Sequence, residues 1–240
     1  MSSTNLAVNP TPNKNQTSRV LRNRWFILGV GVLIASIVLM LTLDMQLYAV
    51  SMVAGLLGIA LAGYFILRIT LRPVQSETMV GPASDIRNGA RTYLRRQIRT
   101  ILLVTPFFAA LLYWILDWKV AVTAVCGVLT SLLASYIGMS VSVRTNLQTA
   151  DIANEGKQSP FRVALFGGSV MGFCITGLSL IVLSVLFSIF KDPNALVGFA
   201  FGGGLAALFA QIGGGIFTKS ADIGADLVGK IEENIPEDDP

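Results

Sequence analysis

The sequence predicts an all-α fold, a polytopic bundle of transmembrane helices, on three observations. Only 13% of the 240 residues are charged, against about 25% in a typical soluble domain. Apolar residues other than glycine make up 53% of the chain, and the mean hydropathy is +0.66. This is more apolar surface than one soluble core of this size can bury, so much of the chain must face lipid.

The third observation is the length of the apolar runs, six of which can cross a hydrocarbon core that takes about 20 helical residues. None of the runs alternates between apolar and polar residues over the length of a strand, so helices are favoured. The six predicted spans are 25–43, 47–67, 98–116, 120–143, 163–190 and 195–217.

The distribution of positive charge predicts a cytoplasmic N-terminus, because loops left in the cytoplasm are enriched in Lys and Arg. In that orientation 16 of the 18 Lys and Arg residues fall in cytoplasmic segments, and only Lys119 and Lys191 fall outside. Residues 1–18 are polar and contain two prolines, which predicts a disordered cytoplasmic tail. We therefore expect a multi-pass integral protein of the cell (inner) membrane.

Several kinds of chemistry are excluded by residues that the sequence lacks. The chain has no histidine, which removes His-based acid–base catalysis, His metal ligands and Ser-His or Cys-His nucleophile pairs. No GxxxxGK[ST] phosphate-binding loop is present, which counts against an ordinary ATP-driven transporter. The two cysteines, Cys126 and Cys174, lie inside apolar runs and are assigned no function.

A basic stretch leads into the third predicted span. Arg87, Arg91 and Arg95 are four residues apart, so they fall on one stripe of a helix. The favoured interpretation is contact with anionic lipid head groups, with binding of an anionic substrate as the alternative. Membrane lipid is thus an expected partner, and nucleic acid is not.

Small residues recur where helices must approach each other closely. Gly168 and Gly172 in the fifth span, and Gly198 and Gly202 in the sixth, have the four-residue spacing of tight helix contacts in lipid. Both pairs are expected to pack against other helices.

The acidic residues are concentrated at the C-terminal end, where seven of the 14 lie in the last 19 residues. If the sixth helix continues past its apolar part, then Lys219, Asp222, Asp226 and Lys230 fall within a stripe about 80° wide. Carboxylates one turn apart suit Mg²⁺, which commonly bridges to phosphate, and lysines beside them would balance phosphate charge. These residues predict a metal–phosphate site at the cytoplasmic end of the bundle.

Other interpretations of this cluster stay open. Lys–Asp pairs at three and four residues can simply stabilise a solvated helix, although ionisable groups next to a membrane span tend to mark function. A non-enzymatic channel or transporter subunit with a divalent-cation-binding cytoplasmic end is the alternative function. Lys219 separates the two, because a lysine among acids helps a phosphate site and weakens a cation-only site. A lipid-phosphate enzyme is disfavoured, since the arginine stripe lacks an accompanying nucleophile.

The run GGGIFTKSADIGADLVGKIEENIPEDDP, Gly213–Pro240, closely resembles the signature of membrane-integral, ion-translocating inorganic pyrophosphatases. The segments IRNGARTYLRRQIRTI, SYIGMSVSVRTN and LFGGSVMGFCITGLSLIVLSVL are similar to that family in the same order. The resemblance implies that 19–46 is an extra N-terminal span and that 47–240 is the N-terminal part of a pyrophosphatase domain. Family members continue for many more spans, so we expect an N-terminal fragment with little or no activity by itself.

The resemblance implies hydrolysis of Mg-pyrophosphate to phosphate, coupled to export of H⁺ or Na⁺, in a homodimer, with K⁺ as a possible further cofactor. By motif position Lys219 would contact pyrophosphate, and Asp222 and Asp226 would hold Mg²⁺. Lys230 and Glu237 would belong to the same substrate site, while the water-activating residues are expected beyond Pro240.

Two positions depart from the family pattern. Gln211 stands where the family usually has Arg, at a position that resembles part of its ionic gate. Asn88 replaces a usual Glu in the basic helix before the third span.

Overall fold

A computed structural model of the chain describes residues 48–71, 79–155, 160–232 and 234. Over these ranges the chain forms five long α-helices and no strand. A 3₁₀ turn, Pro193–Leu196, precedes the last helix, and a π-helical turn, Leu227–Glu232, follows it. The helices are α1 Tyr48–Thr70, α2 Val80–Ile115, α3 Trp118–Glu155, α4 Pro160–Phe190 and α5 Val197–Asp226.

All five helices are long and apolar enough to cross a membrane, which confirms the predicted fold class and a multi-pass integral membrane protein. They correspond to the second to sixth predicted spans, while the first span, 25–43, lies outside the described residues. As predicted, the basic stretch before the third span is helical and is continuous with it in α2.

Helices α1 and α4 pack side by side in opposite directions, and glycine makes their close approach possible. A Cβ atom added to Gly55 would lie 2.8 Å from the carbonyl oxygen of Gly177, so only glycine fits there. At one end of the pair the rings of Tyr48 and Phe187 meet at 5.9 Å. Near the other end the Phe65 ring stacks on an α4 phenylalanine at 5.1 Å.

Helices α3 and α5 run in the same direction and contact each other at backbone distance. A Cβ atom on Gly198 or Gly202 would collide with the carbonyl oxygens of Val120 and Ala124, which confirms the predicted contact for this glycine pair. Gly127 of α3 likewise has no side chain, which allows the backbone of α5 to approach it closely.

The expectation for the other glycine pair was wrong for the part of the chain that the structure describes. Cβ atoms on Gly168 and Gly172 would have no neighbour within 4 Å. The contacts of α4 are made instead by Gly167 against Thr145, and by Gly177 against α1. A four-residue spacing places two glycines on one face of a helix, but it does not say which face meets a neighbour.

Charged side chains mark the two ends of the bundle. Lys119 lies at one end, where its Nζ atom is 3.9 Å from the Oδ2 atom of Asp192. At the opposite end, Arg144 Nη2 donates to the carbonyl oxygen of Thr70 at 2.9 Å. Gln148 Nε2 likewise donates to the carbonyl oxygen of Ile69 at 2.6 Å. These bonds satisfy carbonyls at the end of α1 that have no partner within the helix.

Candidate phosphate and metal site

Most residues of the predicted site lie on helix α5, in a part that follows its apolar span without a break. The α-helical hydrogen bonding of α5 continues from Val197 to Asp226, which fulfils the condition on which the predicted charged stripe depends. Lys219, Asp222 and Asp226 are therefore held on one side of a regular helix. Lys230 follows in the π-helical turn and still reaches the same side, since it contacts Asp226.

The four side chains form two oppositely charged pairs. Lys219 Nζ lies 3.7 Å from Asp222 Oδ2, and Lys230 Nζ lies 3.5 Å from Asp226 Oδ1. The side chains of Lys219, Asp222 and Asp226 are at least two-thirds exposed, and that of Lys230 is 40% exposed. No other helix of the described chain covers this face.

These ion pairs contribute little to folding, because exposed pairs are typically worth about 0–1 kcal/mol. A ligand can therefore separate them at small cost. The two lysines lie at the ends of this face and the two aspartates lie between them, so an anion can contact the lysines while a cation contacts the carboxylates of the same surface. The helix-stabilising interpretation and the ligand-binding interpretation are both compatible with this geometry.

The carboxylates fit Mg²⁺ as a partial set of ligands. Among the described residues no group of three or more His, Cys, Asp or Glu side chains is placed to hold a metal ion. Asp222 and Asp226, one turn apart, supply two carboxylates, and Mg²⁺ is commonly held by one or two carboxylates together with water and substrate phosphate. Glu237 lies outside the described residues.

Helix α2 holds α5 in place just before the charged face. The hydroxyl of Tyr93 donates to the carbonyl oxygen of Ala210 at 3.2 Å, and its ring stacks on Phe217 with centroids 5.0 Å apart. One turn further along α2, the Gln97 amide packs against Gly213, where a Cβ atom would collide with it. We call Tyr93, Gln97, Ala210, Gly213 and Phe217 the α2–α5 contact.

Sequence reasoning missed this contact, although a signal was present. Tyr93 and Gln97 are four residues apart on the side of the basic helix away from Arg91 and Arg95. Uncharged residues repeating at that spacing in a basic helix indicate a packed face.

The two positions that depart from the family pattern are both exposed. Gln211 lies on α5 about two turns before Lys219. Asn88 lies near the start of α2, where its backbone carbonyl accepts a hydrogen bond from Thr92 Oγ1 at 2.9 Å. The structure brings neither side chain into the charged cluster of α5.

Fold and site together define a class, a multi-pass helical membrane protein in which the last described helix and the turn after it carry two aspartates flanked by two lysines. Residues 56–240 match the family described as inorganic H⁺ pyrophosphatase. The chain belongs to that family, as the sequence motif predicted.

Relatives with descriptive names agree with this assignment. The chain is 43% identical over 189 residues to a K(+)-insensitive pyrophosphate-energized proton pump of Methanosarcina mazei, covering 78% of this chain and 28% of the relative. It is 40% identical over 204 residues to a K(+)-insensitive pyrophosphate-energized proton pump 2 of Moorella thermoacetica, covering 82% and 30%. A putative K(+)-stimulated pyrophosphate-energized sodium pump of Clostridium tetani is 35% identical over 191 residues, covering 79% and 28%. The chain thus spans less than one third of the length of these relatives.

Proposed function

We propose that this chain supplies one wall of the substrate site of a pump that hydrolyses Mg-pyrophosphate and exports H⁺ across the membrane. The observation that carries the proposal is the exposed face of α5, where Asp222 and Asp226 lie between Lys219 and Lys230. Family membership supports pyrophosphate as the substrate, because the named relatives are pyrophosphate-energized pumps.

In this proposal the lysines bind phosphate oxygens and the aspartates hold the metal. Lys219 and Lys230 each leave their aspartate partner to contact pyrophosphate, and Asp222 and Asp226 then face Mg²⁺. Bound Mg²⁺ supplies neutralisation of phosphate charge, which stabilises the transition state for attack by water. Glu237 is assigned to the same substrate site on the motif alone.

Helix α5 also offers a physical link between this site and transport. The helix that carries the charged face is continuous with a membrane span, so a change in its position at one end is transmitted to the other. Gln211, exposed within that span, is the residue that we assign to the gate. We propose H⁺ as the transported ion, since the relatives at 43% and 40% identity are proton pumps.

The remaining proposals rest on the resemblance to the family. A homodimer is the proposed assembly. K⁺ is at most an optional cofactor, since these two relatives are K⁺-insensitive.

The test is Mg-dependent hydrolysis of pyrophosphate in membranes containing the product of the complete reading frame. Asp226→Asn is expected to abolish hydrolysis, because it removes the charge that holds Mg²⁺. Asp85→Asn is the matched control, since Asp85 is an exposed acid on α2 outside the cluster. Full activity of Asp226→Asn would contradict the assigned site, and strong activity of the 240-residue chain alone would contradict the idea of a single wall.

A further inference from the structure

A groove lined by arginines lies between the basic half of α2 and residues 136–144 of α3. It encloses a cavity of about 900 Å³. The predicted stripe forms one side of the groove, and the structure adds two arginines that the stripe did not include. The arginines of the groove are Arg87, Arg91, Arg95, Arg99 and Arg144.

The groove has no negative charge of its own. No Asp or Glu lines it, and within the described ranges none of its arginines takes part in an ion pair. Five like charges around one cavity repel each other, so an anion that enters relieves this repulsion. The position of Arg144 is already set by its hydrogen bond to the carbonyl oxygen of Thr70, while its remaining N–H groups stay available to a ligand.

The groove also has an apolar wall. Leu94, Ile98 and Leu102 follow one another along α2 between the arginines, and Val143 faces them from α3. A soluble anion such as inorganic phosphate has no apolar part that could contact such a wall. A molecule that has both a phosphate and a hydrocarbon chain contacts both surfaces.

The arginines lie at the depth where the membrane-spanning segments end. The hydropathy pattern starts one span at residue 98 and ends the next at residue 143. Arg95, Arg99 and Arg144 therefore lie at the boundary between hydrocarbon and head groups, one pair on α2 and one residue on α3.

We propose that this groove is a binding site for one anionic phospholipid. The headgroup phosphate is held by Arg95, Arg99 and Arg144, and an acyl chain runs along Ile98 and Leu102. Guanidinium groups suit this role, since they bind phosphate oxygens in bidentate fashion. The proposal is independent of the proposed function, because it concerns a face away from the aspartates of α5.

The test is lipid retention by the purified product of the complete reading frame, measured by native mass spectrometry with phosphatidylglycerol or phosphatidylcholine in the detergent. The double variant Arg95→Gln/Arg99→Gln removes two groove charges. The matched control Arg96→Gln/Arg162→Gln removes two exposed charges near the same depth that do not line the groove. Circular dichroism checks that both variants keep their helices.

We expect the parent to retain phosphatidylglycerol in preference to phosphatidylcholine. The groove variant should bind phosphatidylglycerol at least about tenfold more weakly, and the control less than about threefold. Equal losses in the two variants would overturn the proposal, because they would show general attraction to anionic lipid rather than a site.

A second arm separates a lipid from a soluble phosphate compound. Inorganic phosphate or pyrophosphate at millimolar concentration should leave phosphatidylglycerol bound, because neither contacts the apolar wall. Leu102→Ser should weaken lipid retention without changing any binding of phosphate. Displacement of the lipid by inorganic phosphate would overturn the assignment to a phospholipid.

Discussion

Gly202 and Gly172 occur in the same sequence pattern, each four residues after another glycine, but they have different surroundings. At Gly202 the backbone of α3 is so close that no side chain fits, whereas a Cβ atom on Gly172 would meet nothing within 4 Å among the described residues. The spacing could be read from the sequence. The neighbouring helix could not, because it depends on contacts between segments far apart in the chain.

Replacing Gly202 by alanine is therefore expected to destabilise the bundle. The added methyl group collides with the carbonyl of Ala124, and overpacking of this kind typically costs about 1–3 kcal/mol. The control Gly172→Ala is expected to be neutral or slightly stabilising, since alanine favours helix by up to about 1 kcal/mol. Unfolding in detergent, followed by circular dichroism, measures both. Equal stability of the two variants would contradict the close packing of α3 and α5.

A single side chain, Lys219, distinguishes a phosphate site from a site that binds only cations. Lys219→Gln is expected to weaken pyrophosphate binding about tenfold or more, because a charged hydrogen bond is worth about 1.5–3 kcal/mol. Calorimetric titration of the complete protein with Mg-pyrophosphate, and with Mg²⁺ alone, provides the measurement.

Lys119→Gln is the matched control, because Lys119 lies at the opposite end of the bundle. If Lys219→Gln leaves pyrophosphate binding unchanged and strengthens binding of Mg²⁺ alone, the divalent-cation-binding subunit becomes the better description.

Among the elements, α2 and α5 show where hydropathy stops being informative. Hydropathy predicted the spans in both helices, and the charge pattern predicted that the basic stretch runs into the span of α2. The continuation of α5 into the charged motif was a condition of the predicted site, and the structure fulfils it. Neither hydropathy nor charge predicted that Tyr93 of the basic stretch binds α5. The hydroxyl of Tyr93 and the carbonyl of Ala210 are 117 residues apart in the chain, and no local pattern joins them.

The α2–α5 contact is expected to hold the charged end of α5 in position. Tyr93→Phe keeps the ring on Phe217 and loses the hydrogen bond, which is worth about 0.5–1.5 kcal/mol. Tyr93→Ala loses the ring contact as well and should have a larger effect. Both should raise the rate of amide hydrogen exchange between Ala210 and Phe217.

Tyr113→Phe is the control on the same helix, since Tyr113 is 65% exposed. If exchange in α5 rises equally in all three variants, or in none, then the contact does not hold α5.

At the scale of the whole molecule, the sequence predicted the class and the ends of the bundle, but not which helices pair. The charge count predicts that Lys119 lies on the side of the membrane opposite Arg144 and most other Lys and Arg residues. The structure places Lys119 at the end of the bundle opposite Arg144. The pairing of α1 with α4 was not predictable, because all the spans are similarly apolar. Steric fit at Gly55 and Gly177 selects the pair, and that fit exists only after folding.

The predicted orientation across the membrane can be tested with single cysteines. Asn194→Cys lies in the turn before α5, and Ser220→Cys lies at the charged end of the same helix; both positions are exposed. A membrane-impermeant maleimide added to intact cells should label Asn194→Cys only. Ser220→Cys should react only after permeabilisation.

The unchanged parent controls for Cys126 and Cys174, which lie inside the helices of the bundle. Labelling of Ser220→Cys in intact cells would mean that the charged end of α5 faces outward.

The number of residues in the π-helical turn Leu227–Glu232 determines where Lys230 lies relative to α5. Each of its hydrogen bonds spans one residue more than a bond in an α-helix, which offsets Lys230 from the position that a continuous α-helix would give it. Deleting Gly229 would remove that offset while leaving Lys219 and Asp226 in place. The position of Lys230 beside Asp226 thus depends on the number of residues in this turn, which makes the turn far less tolerant of insertions and deletions than of substitutions.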